Sequence, residues 1–382
     1  MAGLQSYPTP HPTPLVDGAT LDALRLIRSR RVGPATYHRL IAEHGSAAAA
    51  LAALPGIAAG AGVEGYEICP LGVVQAEMKA GAAVGARLLV HRMAGYPMAL
   101  MDMADAPPVL WARGDIGLLQ RPMVAMVGAR NASSLGLRMA RRLSEVLGGA
   151  GQVVVSGLAR GIDAAAHEAA LETGTVAVMA GGVDVIYPPE NKALAAAIGE
   201  KGCLVSEQPP GLEPQARHFP QRNRVVAGLA QAVVVVEAAA KSGSLITARD
   251  AADLGRDVLA VPGHPFDARA AGCNMLIRDG ATLVRHAADV LEAIGVAEGA
   301  MRVEEKPAVR PAPVAVPPAR TLREIAAVHS LILDRLGPSP LAEDQLIRDL
   351  ALSAASVAPA LVALELEGRI QRQAGGLLAR VN

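Results

Sequence analysis

The sequence predicts an α/β protein: a Rossmann-like doubly wound parallel sheet with an N-terminal helical domain and a C-terminal winged helix. Three observations predict it. From residue 86 to 297, apolar runs of strand length alternate with Ala-rich helical stretches, the pattern of repeated βα units. Before that region apolar residues recur at helical spacing only. After it, beyond a Pro-rich stretch, three helical patterns precede a hairpin pattern.

Composition narrows the class. The 382 residues suffice for two or three domains and a large core, and 51% are hydrophobic while only 2% are aromatic. Formal net charge is zero, so no global basic field announces a nucleic-acid partner. Cys69, Cys203 and Cys273 are far apart and form no CxxC, which argues for a reducing compartment and against a zinc site. The chain opens on a Pro-rich stretch without a basic segment and an apolar segment in series, so no signal peptide is expected. The Ala/Gly-rich run at 47–63 is broken by Pro55 and Gly56 and is too weakly hydrophobic to span a bilayer. The expectation is a soluble cytoplasmic protein with no membrane contact.

Residues 1–14 are expected to form a disordered leader. Residues 15–85 read as helices, with Leu21, Leu24 and Ile27, then Tyr37, Leu40 and Ile41 at helical spacing. Gly33-Pro34 opens one helix, and LPGI at 54–57 reads as a second turn of the same kind. These turns resemble helix-hairpin-helix (SAM-like) units that hold DNA backbone through glycine-turn N–H groups. Basic and acidic residues balance here, so a helical domain without DNA contact fits equally well.

In the central region, 86–297, strands are expected at 123–127, 153–156, 176–179, 203–206, 232–237 and 257–261. The stretch 96–114 adds an edge strand or two. Residues 298–318 are Pro-rich, carry both charge signs and lack an apolar period, which marks a linker. In the winged helix, 319–382, helices fall at 321–336, 341–350 and 353–367, and a hairpin at 369–381 turns at Gly375-Gly376. Its third helix, SAASVAPALVALELEG, contains no Lys or Arg, which suits a docking module better than a groove reader.

Four stretches carry chemistry. In SGLARGIDAAAHEAAL (156–171), an apolar run meets Gly157, a loop and a helix. Gly157 and Gly161 allow a ligand close to the backbone, the helix start offers N–H groups, and Arg160 can fork onto a phosphate. In VAMVGARNASSLGLRMARRL the strand ends at Gly128, Arg130 sits in the turn, and Ser133 or Ser134 caps the next helix. This is not GxGxxG, and no ribose-binding acid follows, so a nicotinamide cofactor is not expected.

VEAAAKSGSLITARDAADLG sets Lys241 ahead of Ser242, Gly243 and Ser244 at a helix start, a phosphate cradle with a point charge. There is no GxxxxGK[ST], hence no P-loop. Finally, Arg217 and HFPQRNRVVAGLA crowd Arg217, Arg222 and Arg224 into one short loop without an acid. Phe219, one of two Phe in the chain, sits inside it. Either Phe219 plugs the sheet edge above solvated arginines, or the cluster is a positive groove with an aromatic platform for a single nucleic-acid strand. Arg130, Arg160 and Lys241 at other strand ends favour the second reading, because α/β sheets bind ligands beyond the strand C-termini.

Hydrolytic chemistry is weakly encoded. Asp163 and His167 stand at i,i+4 on one helix face and could share a proton or a metal, but such a pair is more often a local hydrogen bond near a helix start. Glu207 and Glu237 are isolated strand-end acids, and no HExxH, GxSxG or carboxylate cluster occurs. No catalytic residue, metal or cofactor is expected.

The blocks VGARNASSLG, SGLARGIDAAAHEAAL, GGVDVIYPPEN, SEQPPG, HFPQRNRVVAGLA, EAAAKSGSLITARDAADLGRDVLAVPG and GCNMLIRDGATLV run in order from Val127 to Val284. Together they resemble the bacterial DNA processing protein A (DprA/Smf) family. The resemblance implies a homodimeric protein that binds single-stranded DNA and loads RecA recombinase onto incoming strands during natural transformation, without catalytic turnover. By position, the family's strand pocket falls on Gly128 and Arg130 with the cap Ser133, and on Gly157, Arg160 and Gly161. It continues onto Phe219, Arg222, Asn223 and Arg224, and onto Lys241, Ser242, Gly243 and Ser244; a basic position before the Phe corresponds to Arg217. The alternative is an enzyme of the lysine-decarboxylase-like phosphoribohydrolase type, which holds a nucleoside monophosphate beside a catalytic Glu. The chain lacks that group's PGGxGT loop and has KSGSLIT in its place.

Overall fold

A computed structural model describes residues 17–296, 322–337, 339–373 and 377–381. The expected leader, the linker and the hairpin turn at Gly375-Gly376 lie outside the described residues.

The first helices form where their caps are written. α1 (Gly18–Arg28) starts on Asp17, whose carboxylate accepts from the Ala19 N–H. α2 (Pro34–His44) has Pro34 in its first turn and ends on Gly45 at φ 77°. α3 (Ala47–Gly60) is capped by Ser46, and α4 spans Leu71–Ala83. The chain divides within α4, between Lys79 and Ala80, into two compact units. In the first unit Leu24, Leu26, Tyr37, Leu40, Leu51 and Leu54 are buried, and Arg28 forks onto Glu77 with contacts of 2.8 and 2.9 Å. The expected turn at LPGI does not form; residues 54–57 lie inside α3. Leu51, Leu54 and Ala58 share one buried face at i, i+3 and i+7, and burying that stripe outweighs the hydrogen bond Pro55 cannot donate.

The second unit is built on a nine-stranded sheet in the order β1-β2-β6-β5-β4-β3-β7-β8-β9. Its strands are β1 (Arg87–Val90), β2 (Val109–Gly114), β3 (Met123–Val127), β4 (Val153–Ser156), β5 (Thr175–Val178), β6 (Cys203–Ser206), β7 (Ala232–Val235), β8 (Asp257–Ala260) and β9 (Thr282–Leu283). β1–β2 and β2–β6 pair antiparallel, and every other pair in this sheet is parallel. Of the stretch 96–114 only its end becomes a strand, β2, and the other antiparallel strand lies upstream of it.

Helices α5 (Ser134–Gly149), α6 (Ile162–Ala170), α7 (Lys192–Lys201), α8 (His218–Leu229), α9 (Ser244–Asp253), α10 (Ala271–Arg278) and α11 (Ala287–Ala293) cover the sheet. Strand alternation sorts the core onto two faces. Ala125, Val127, Val155 and Val233 pack with Val225 and Ala248 of α8 and α9, while Val124, Met126, Val154 and Val234 pack with α5 and α6. HFPQRNRVVAGLA is therefore not a loop but α8. Its Pro220 falls in the first turn, where no N–H is needed, and Val225, Val226 and Leu229 bury its far half.

The winged helix comprises α12 (Leu322–Arg335), β10 (Leu341–Ala342), α13 (Glu343–Leu350), α14 (Ala354–Leu366), β11 (Ile370–Gln373) and β12 (Leu377–Arg380), with strand order β10-β12-β11. It is seated on the sheet domain. Leu135 joins its core, Arg335 Nη1 donates to the Ala132 carbonyl at 2.7 Å, and Arg269 donates to the carbonyls of Asp334 and Leu336 at 2.8 and 2.9 Å.

Candidate functional site

The sheet reverses its winding between β3 and β7: the chain moves outward from β3 through β6, then returns to start β7 on β3's other side. Doubly wound folds bind ligands beyond the strand ends at such a point. A cleft of about 640 Å³ opens there. Its walls are the loop after β3 (Gly128 to Asn131), Gly157 and Ala159 after β4, the first turns of α8, and Lys241 to Ser244 ahead of α9.

Ten of the predicted residues line this cleft: Gly128, Arg130, Gly157, Phe219, Arg222, Asn223, Lys241, Ser242, Gly243 and Ser244. Arg160 lines an adjoining groove with Tyr187 and Phe219. Ser133, Gly161, Arg217 and Arg224 line neither.

Much of the expected phosphate-binding capacity is met by the chain's own carboxylates. At α5 the N-cap Ser133 is buried, its N–H and Oγ donate to Glu237 at 3.0 and 2.6 Å, and its Oγ accepts from Gly136 at 3.0 Å. The anion at that helix start is Glu237. At the loop before α6, the Asp163 carboxylate accepts from the N–H groups of Gly157 and Ala159 at 3.2 and 3.3 Å. Burial raises both carboxyls above the usual range, and for Glu237 the Ser133 donors pull in the opposite direction. α9 starts with no acidic residue in its first turn: Ser242 and Ser244 bond each other through their hydroxyls at 2.6 Å, and Lys241 stands exposed beside them.

Gly157 and Gly161 serve packing rather than ligand approach. A Cβ on Gly157 would strike the Arg222 guanidinium, and one on Gly161, at φ 77°, would meet the Arg130 carbonyl at 2.7 Å. Arg222 itself is buried. Its Nη1 donates to the carbonyls of Gly157 and Val178, and its Nε to Asn223 Oδ1 at 3.0 Å. The side chain thus ties the ends of β4 and β5 to α8, and it is not an open phosphate fork. Arg224 is engaged by Glu207 and by Asp105, the latter at 3.4 Å, and Arg217 points its Nε at His218.

Asp163 and His167 do not bond each other. The Thr175 hydroxyl donates to the Val154 carbonyl, so His167 Nδ1–H donates to Thr175 Oγ1 at 2.7 Å and Nε2 accepts from the Leu158 N–H. Burial lowers this imidazole to about 3, keeping it neutral. It helps to hold Leu158 at φ 55°, a left-handed conformation costly for a side chain with a Cβ, and Asn191 Nδ2 holds the Leu158 carbonyl at 2.9 Å. Burial also pushes the Cys203 and Cys273 thiols up to about 12, which makes them poor nucleophiles.

What remains for a ligand is one cation-and-aromatic array. The Arg130 guanidinium lies over the Phe219 ring at 5.5 Å, and Tyr187 meets Phe219 edge-on at 5.7 Å. Arg130 and Lys241 have no acidic group within 4 Å among the described residues, and Arg160 is held only loosely by Glu190 at 3.6 Å. Sequence reasoning missed Tyr187, Asn131 and Arg269. Tyr187 lay within a quoted block, but no period or charge marked it.

Comparison with known proteins bears on this array. A family model of DNA recombination-mediator protein A matches residues 87–295, more than half of the 382 residues. The chain belongs to that family. Models of its N-terminal helix-hairpin-helix domain and its winged-helix domain match residues 17–80 and 316–376. The chain is 47% identical over 198 residues to DNA processing protein DprA of Streptococcus pneumoniae, across 51% of this chain and 70% of that one. The crystal structure of the S. pneumoniae protein superposes at a TM-score of 0.61 with 36% identity, over 72% of this chain and 97% of that one. A structure of DNA processing protein A from Helicobacter pylori, concerned with its single-stranded DNA binding mode, gives 0.51 with 29% identity, over 55% and 95%. The family read from the ordered blocks is the family found.

Proposed function

We propose that the chain binds single-stranded DNA in the switch-point cleft and acts in DNA processing during natural transformation. One observation carries this reading: Arg130 and Lys241, unpaired by any acid among the described residues, flank a cleft whose rim is aromatic and whose α9 helix start carries no acid. Phosphates suit the cations and the helix start, and a base suits the ring. The binding mode of the H. pylori relative supports the same ligand class. In this reading residues 86–297 bind the strand, and the domains at 15–85 and 319–382 precede and follow them in the sequence. The protein works in the cytoplasm as a homodimer, hands its strand to RecA recombinase and turns over no substrate. No single helix among the described residues is long and apolar enough to cross a membrane.

The test is anisotropy with a labelled single strand, its duplex and a nucleoside monophosphate. The single strand should bind well above the duplex and the mononucleotide should not compete, while Arg130→Ala and Lys241→Ala should each weaken strand binding. Release of base or phosphate from a mononucleotide, abolished by Glu237→Gln, would instead support the phosphoribohydrolase reading.

A further inference from the structure

We infer that Tyr187 forms a second base subsite, so that the cleft takes at least two successive, unstacked nucleotides of a single strand. The inference rests on the proposed function and deepens it. Phe219 is half-buried, one flank of its ring lies under the Arg130 guanidinium and its edge meets Tyr187. Phe219 lines both the cleft and the adjoining groove, and takes the first base. Tyr187 is 50% exposed, whereas Trp111, Tyr37 and Tyr96 are buried in the core. The Tyr187 ring is left half in water on a groove shared with Arg130 and Arg160, where a base can lie against it.

The geometry also specifies what the ligand must be. The Tyr187 and Phe219 ring planes are 63° apart, so bases lying against the two rings cannot stay parallel to each other. Paired, stacked bases of a duplex do not meet that requirement, and splayed bases of a single strand do. The charges fall where a backbone would run: Arg130 stands on the Phe219 side, and Arg160 lies on the rim in an ion pair that a phosphate can replace, both partners being more than half exposed.

The experiment compares oligothymidylate with an abasic strand of equal length, using the full chain and its Tyr187→Ala and Tyr187→Phe variants. Tyr187→Ala should weaken oligothymidylate binding about ten-fold, the share of one stacked base, and leave abasic binding and the salt slope unchanged. Tyr187→Phe should keep parental affinity, since stacking needs the ring and not the hydroxyl. A strand carrying 5-iodouracil should crosslink to the peptide containing Tyr187 in the parent protein, which reads the contact without any substitution. A parent that does not bind oligothymidylate overturns the proposed function and this subsite with it. A parent that binds, while Tyr187→Ala binds equally well or loses the abasic strand too, overturns the subsite alone; so do crosslinks that avoid Tyr187.

Discussion

At the scale of single residues, the cleft separates arginines that hold the fold from arginines that face solvent. Arg222 belongs to the first kind. Its guanidinium is buried, satisfies two strand-end carbonyls and supplies the positive charge nearest to the buried Asp163 carboxylate. Removing it leaves two unpaired acceptors and an uncompensated, largely buried anion. Arg222→Ala should therefore cost about 3–5 kcal/mol of stability, read as a lowered urea midpoint, before any effect on strand binding is considered. A variant with parental stability and weakened binding would mean that the guanidinium is mainly a ligand contact. Arg130 is of the second kind: it is exposed, stacked on Phe219, and its substitution should leave the midpoint nearly unchanged.

At the scale of elements, each helix start around the cleft is an anion site, and the chain fills some of them itself. Glu237 is the anion of α5, accepting from both the backbone and the hydroxyl of Ser133. Glu237→Ala should cost about 1–3 kcal/mol by stranding those donors. It also vacates a positive helix end, so inorganic phosphate should raise the variant's melting temperature by more than the parent's. Equal phosphate response in the two proteins would show that the α5 start is closed to anions for another reason. Glu237 also explains what was legible in the sequence. Strands β3, β4 and β6 were read to the residue because their runs are continuously apolar and buried on both faces. β9, two exposed residues long, had no such pattern. The Arg- and Pro-rich start of α8 looked like a loop, since its buried apolar residues come late in the helix. The loops that build the cleft were legible from their glycines and cations. Which of their donors are already used was not, because Ser133 and Glu237 meet across 104 residues and only the assembled sheet brings them together.

At the scale of the whole molecule, charge decides how strongly a strand is drawn in. The chain is formally neutral, so its long-range field is small and attraction must come from the cleft. The seated winged helix adds little to it. Arg269 reaches the cleft but is engaged by Asp267 and by the carbonyls at the end of α12, and α14 turns Val362 and Leu366 outward with no cation among them. Arg222 and Arg224 are engaged internally, and Arg217 lies outside the cleft. Three cations remain for phosphate: Arg130, Arg160 and Lys241. Each phosphate neutralised on a single strand contributes roughly −0.7 to the slope of log affinity against log salt, so the slope should be about −2. Had all six basic side chains met phosphate, it would be about −4. Anisotropy titrations between roughly 50 and 200 mM salt distinguish the two. A slope near −4 would require the Arg224–Glu207 ion pair to open and Arg222 to leave its carbonyls, which implies that α8 moves when the strand binds. A slope near −2 that falls by about one contact's share in Lys241→Ala, and not in Arg224→Ala, would place the phosphates at the start of α9.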